Sequence, residues 1–185
     1  LYNFNLPRPS CFIIAGIPNI GRKKFFHFAL YKSNLIKSYY RLLIVSMNAR
    51  DSIEDLIIKV YGLGFSSQDE SVLKNLSIVA FDKKILLLAE LLDEIRHMSE
   101  HLLIIDNKNI VSRDGQISNW FLDVIKLLNE NNKCFIGLIS QIRLRYDNLR
   151  ATPKIFQITI PELGVFERRA LFQNLLDILA IEISS

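Results

Sequence analysis

Two glycines, three consecutive cations and a short apolar run between residues 11 and 28 have the types and spacing needed to hold phosphate. The stretch reads CFIIAGIPNIGRKKFFHF. An apolar run at 11–15 stops at Gly16, crosses a loop with Pro18 and Asn19, reaches Gly21, and then meets Arg22, Lys23 and Lys24 at the start of an aromatic-rich helical pattern. A loop of the form G-x-x-x-x-G-K-[S/T] uses glycines so that backbone N–H groups converge on phosphate oxygens, a lysine for the β- and γ-phosphates, and a hydroxyl for Mg²⁺. Gly16 and Gly21 keep that spacing, with Ile17, Pro18, Asn19 and Ile20 forming the backbone between them. Arg22 stands where the lysine belongs and Lys23 where the hydroxyl belongs. Cations at a helix amino terminus oppose the macrodipole and favour a nearby anion. The plainer alternative is an ordinary strand-to-helix turn with a solvated basic start.

Ligands of parallel α/β sheets bind beyond the carboxyl ends of the strands. Three further strand ends carry polar groups: Asn48, the pair Asp106 and Asn107, and the segment 140–145. LLIID at 102–106 is a hydrophobic strand closed by an aspartate, the setting of a carboxylate that holds Mg²⁺ directly or through water. Asp106 is therefore the candidate metal-associated and catalytic acid, with a turn cap as the alternative. Ser140 could sense a γ-phosphate or cap a turn. Arg143, with Arg145 and Arg150, reads as a solvated face or as a phosphate or inter-subunit contact. His27, His97 and His101 have no carboxylate or nucleophile at motif spacing, so Ser/His/Asp chemistry is not expected. Tyr39, Tyr40 and Arg41 could stack bases, although such clusters before a strand are usually edge packing.

These residues require strands that end at them. The chain has 185 residues, 50% hydrophobic and 23% charged, enough for one well-filled core. An extended lead-in at 1–10, with Pro7 and Pro9 disfavouring helix, precedes a core expected over 11–185. Strands are expected at 11–15, 41–46, 102–106, 134–139 and 155–160. Helices are expected at 22–34, from the capping residues at 48–52 to Tyr61, and at 72–80, 82–100, 117–131 and 165–181. Ile85, Leu88, Leu91, Leu92, Ile95 and Met98 recur at three- and four-residue steps and predict one buried stripe. The 140–152 segment reads as a basic loop or short helix. The alternation predicts a three-layer α/β fold, a parallel five-stranded sheet with helices on both faces.

Charge is uneven along the chain. Residues 1–50 carry eight Lys/Arg and no Asp or Glu, whereas 51–185 carry fifteen against nineteen. The basic field surrounds the glycine loop and attracts polyphosphate, nucleic acid or an acidic partner. Cys11 and Cys134 fall in apolar runs, which points to a reduced, cytoplasmic setting. No run approaches the roughly 20 apolar residues of a membrane span, and no membrane partner is expected. The opening at Leu1 and the close on a helical pattern give the expectation of a domain within a longer protein.

With GIPNIGRKKF, LLIIDN, CFIGLIS and ITIPELGVFERRALFQNLL in that order, the chain resembles the signal-transducing P-loop ATPases called STAND proteins. That group includes NB-ARC and NACHT domains and bacterial receptors attached to TIR and other effectors. The resemblance covers about residues 11–180, with a degenerate first motif. It implies an ADP/ATP switch that drives self-association of an attached effector, such as TIR, in signalling, innate immunity or antiviral defence. It places nucleotide against residues 16–24, Ser140, Arg143 and Pro161, and Mg²⁺ near Asp106. Efficient hydrolysis is not expected, because Arg22 and Lys23 replace the Lys-Ser/Thr pair and Asn107 lacks the charge of a base. Nucleic acid is not an expected partner. The alternatives are a nucleotide-free P-loop-like scaffold that docks an acidic partner, and a nucleic-acid-binding AAA+-type module.

Overall fold

The computed structural model describes residues 9–145, 147, 154–162, 164–167 and 169–170. Five apolar segments form strands β1 (Cys11–Ala15), β2 (Leu43–Met47), β3 (Leu102–Asp106), β4 (Ile136–Ser140) and β5 (Ile155–Thr159). They build one sheet in the order β2-β3-β4-β1-β5, with every neighbouring pair parallel. Alternate side chains leave opposite faces of a strand, and both faces are covered. Cys11, Ile13, Val45, Leu102, Ile104 and Leu138 join a core with helices α2 (Ile53–Tyr61), α4 (Phe81–His97) and α5 (Asn119–Leu127). Ile14, Leu103 and Ile139 turn the other way, against Phe26 and Leu30 of α1 (Arg22–Lys32). The architecture is a three-layer α/β fold.

Register places the candidate residues on one edge. Ala15 lies opposite both Ser140 and Thr159, and Met47 opposite Asp106. Gly137 sets how closely α1 approaches. A Cβ there would lie 2.7 Å from Leu103 Cδ1 and 2.8 Å from Phe26 Cζ, so Phe26 rests on bare backbone. On the other face, Ser52 and Asp55 form a reciprocal capping box at the start of α2. Glu54 of α2 pairs with the buried Lys84 of α4.

Several expected boundaries shift for local reasons. The helix expected at 72–80 is only α3 (Ser71–Lys74) followed by turns; Asn75 and Ser77 are residue types that disfavour a helix interior. The helix expected from 117 starts at Asn119, because Ile117 bridges Val111. Cys134 precedes β4 rather than opening it: its N–H donates to Asn132 Oδ1 at 2.9 Å and its carbonyl accepts Arg96 Nε at 3.0 Å. Met98 lies past α4 and is exposed, while Arg96 occupies the buried stripe. Arg96 is satisfied there by Asp93 and the carbonyls of Cys134 and Asn129. Of the expected final helix, residues 165–167 and 169–170 are helical, and its continuation from 171 lies outside the described residues, as do 1–8 and Arg150.

Candidate functional site

The loop after β1 is held at its two ends and open in the middle. At its start the Gly16 N–H donates to the Ser140 carbonyl at 3.2 Å. The segment after β5 closes over the same point, with the Ile160 N–H donating to the Ala15 carbonyl at 2.8 Å. A Cβ on Gly16 would come within 3.0 Å of the Ile160 carbonyl oxygen, so the close approach of that segment requires glycine there. Pro161 follows immediately, so the segment after β5 lies against the start of the loop.

At its far end the loop turns into α1 through Gly21, which has φ 87° and ψ 18° and caps the helix without a side chain. Asn19 is left-handed as well, at φ 64°. The Phe25 N–H closes the first helical bond to the Gly21 carbonyl at 2.8 Å. The N–H groups of Asn19, Ile20, Gly21, Arg22, Lys23 and Lys24 have no acceptor among the described residues. Ile17, Pro18, Asn19, Lys23 and Lys24 are exposed. Arg22 folds back so that Nη1 donates to the Ser140 carbonyl at 2.6 Å. Its partial burial lowers its pKa from the ordinary arginine value. Among the described residues Arg22 engages one of its five guanidinium donors, which leaves the others for an anion.

The turn after β3 is built differently. Asp106 is 2% exposed, and its carboxylate accepts three backbone N–H groups. Asn109 and Ile110 donate to Oδ1 at 2.9 and 2.8 Å, and Val111 donates to Oδ2 at 2.9 Å. Asn109 then ties the turn to the end of β2, its side-chain amide donating to the carbonyls of Asn48 and Asp51. Ser140 is also engaged locally. Its buried hydroxyl donates to the Ile142 carbonyl at 2.9 Å and accepts the Ile142 N–H at 3.0 Å.

Arg143 and Arg145 lie beyond β4 against the 112–117 turn. A Cβ on Gly115 would meet the Arg143 carbonyl at 2.7 Å, and the Arg145 N–H donates to the Gly115 carbonyl at 3.0 Å. The structure thus brings together Gly16, Arg22, Ser140 and the segment before Pro161, whereas Arg143 is anchored at the Gly115 turn. Asn109 is the residue that sequence reading passed over. Its signal was its place three residues after a strand-closing aspartate, a spacing suited to a side-chain-capped turn.

The residues present do not fit a directly liganded Mg²⁺. The Lys23 side chain carries no oxygen, Oδ1 of Asp106 already accepts two bonds, and Oδ2 keeps a single acceptor position inside the fold. Among the described residues, no group of three or more His, Cys, Asp or Glu side chains is placed to hold a metal ion. No helix of the described residues is long and apolar enough to cross a membrane. No family model matches the chain, and no curated protein matches it.

Proposed function

We propose that this chain is a STAND-type nucleotide-binding domain that holds ADP or ATP at the 16–24 loop, as a switch for self-association within a signalling or defence protein, with weak or no hydrolysis. The observation that carries this reading is the row of N–H groups at 19–24 without an acceptor among the described residues, beside a guanidinium with open donors. Aligned N–H groups at a helix start bind phosphate through both hydrogen bonds and the helix dipole. Phosphate binding in this reading does not depend on Asp106, whose one open position allows only a contact through water. Self-association, an attached effector such as TIR and a cytoplasmic setting rest on the resemblance of the motifs.

A second reading, the nucleotide-free scaffold, is favoured by a specific set of contacts. Asp106 and the Ser140 hydroxyl bond within their own turns, and the fold's own Ile160 and Ile20 crowd the Gly16 position. Calorimetric titration with ATP and ADP, with and without Mg²⁺, decides between the two. The nucleotide reading expects binding that survives removal of Mg²⁺ and raises stability by about 2.7 kcal/mol at a hundredfold excess over Kd. Replacing Arg22 with alanine is expected to weaken nucleotide by about tenfold or more, the worth of a charged hydrogen bond. Absence of heat and of thermal stabilisation at millimolar nucleotide selects the scaffold.

A further inference from the structure

Away from the loop, two clefts run along α1 and the segment leading into β2. One, of about 530 Å³, is lined by Lys23, Lys24, His27, Tyr40 and Arg41 over the apolar floor of Leu42 and Ile44. The other, of about 750 Å³, is lined by Tyr31, Leu35, Lys37, Tyr39 and Tyr40 among others. Tyr40 belongs to both walls, so the two clefts lie side by side with its ring between them.

We propose that these two adjacent clefts together bind single-stranded nucleic acid, their cations taking the phosphates and their tyrosines the bases. The juxtaposition of rows of cations and exposed rings supports this. Among the described residues, no carboxylate lines either cleft. Lys23, Lys24, Lys37 and Arg41 are in none of the ion pairs among the described residues. The nearby Glu100 is engaged as the acceptor of the Tyr40 hydroxyl. Tyr39 is 75% exposed and Tyr31 41% exposed, on a surface that also shows Phe28. Lysine heads stand close to these rings, Lys37 5.8 Å from the centre of Tyr39 and Lys32 5.9 Å from that of Tyr31.

Tyr40 is a fixed partition between the clefts. Its hydroxyl accepts the His101 N–H at 3.2 Å, and its carbonyl accepts His27 Nε2–H at 2.9 Å. A rigid wall with open rings and cations on either side suits a chain that presents charge and flat faces in turn. A duplex hides its base faces from such rings, and an acidic peptide would use the cations but leave the rings idle. The proposal is independent of nucleotide binding at the loop, although Lys23 and Lys24 border both places.

The test is fluorescence anisotropy of a labelled 15-nucleotide oligothymidylate titrated with the 185-residue chain at 50 and 200 mM salt. Four phosphate contacts predict a logarithmic salt slope near −2.8 on the single-strand scale, roughly a fiftyfold loss of affinity across that range. Tyr39→Ala should weaken binding about tenfold, as loss of one stacked base does. Lys37→Glu with Arg41→Glu should weaken it further and flatten the slope. All three positions are exposed, so unchanged melting curves serve as the folding control, and an unchanged thermal response to ATP keeps this test separate from the loop. Absence of binding at 50 mM salt with 100 µM protein would overturn the proposal. So would equal affinity for the matching duplex, equal competition by polyglutamate, or an unaffected Tyr39→Ala variant.

Discussion

The loop after β1 and the turn after β3 stand on the same edge of one sheet and use their polar groups in opposite ways. After β1, the N–H groups at 19–24 have no acceptor among the described residues, and Lys23 and Lys24 are exposed. After β3, the Asp106 carboxylate is buried and accepts three N–H groups from the turn it begins. A strand-closing acid and a glycine loop are equivalent cues in sequence. Their difference lies in whether the hydrogen-bonding capacity is free for a ligand or already engaged by the fold. A carboxylate in the second condition is structural before it is anything else.

The comparison breaks most directly at Asp106. Replacing it with alanine leaves three N–H groups unpaired, two of them buried, and should cost about 4 kcal/mol in urea unfolding, with asparagine costing less because a carbonyl remains. If Asp106→Ala unfolds at the parent's urea midpoint, the carboxylate is not the turn's keystone and a ligand role regains weight.

The opposite end of the sheet extends the closed pattern. His101, just before β3, accepts the Phe135 N–H on Nδ1 at 3.1 Å, and burial lowers its pKa from 6.5 to about 4. Between those pH values the unfolded chain holds the proton that the folded chain excludes. Stability is therefore full above about 6.5 and declines on acidification toward 4, by up to about 1.4 kcal/mol per pH unit. Urea midpoints measured across this range, for the parent and His101→Gln, check the slope; equal slopes would remove His101 as its source.

The smallest expected effects are at the two glycines of the open loop, and they differ in cause. Gly16→Ala places its Cβ against the Ile160 carbonyl and should cost about 2 kcal/mol by overpacking. Gly21→Ala meets no atom within 4 Å, only a left-handed backbone, and should cost about 1 kcal/mol. Thermal melts that rank them in reverse would show that the loop's shape comes from the helix cap more than from β5.

Much of the fold was legible because strands and helices leave periodic marks. β1 and β3 lie where the apolar runs 11–15 and 102–106 place them, and the Ser52 cap starts α2 as its residue type favours. Boundaries slipped where a long-range partner intervened: Arg96 draws the Cys134 carbonyl away from the sheet, and Val111 captures Ile117 before α5 can begin. The candidate site was legible in part. Gly16, Arg22 and the segment before Pro161 do meet, because register aligns the ends of β1, β4 and β5.

Residue order by itself determined the element types, the parallel layering and the basic character of the first 50 residues, since periodicity and charge are properties of the chain before it folds. Tertiary structure decided that Asp106 caps its own turn, that Arg22 reaches the Ser140 carbonyl, and that Tyr40 lines two adjacent clefts. Those outcomes depend on which donors and acceptors meet across elements distant in sequence, and no spacing within one segment encodes such a meeting.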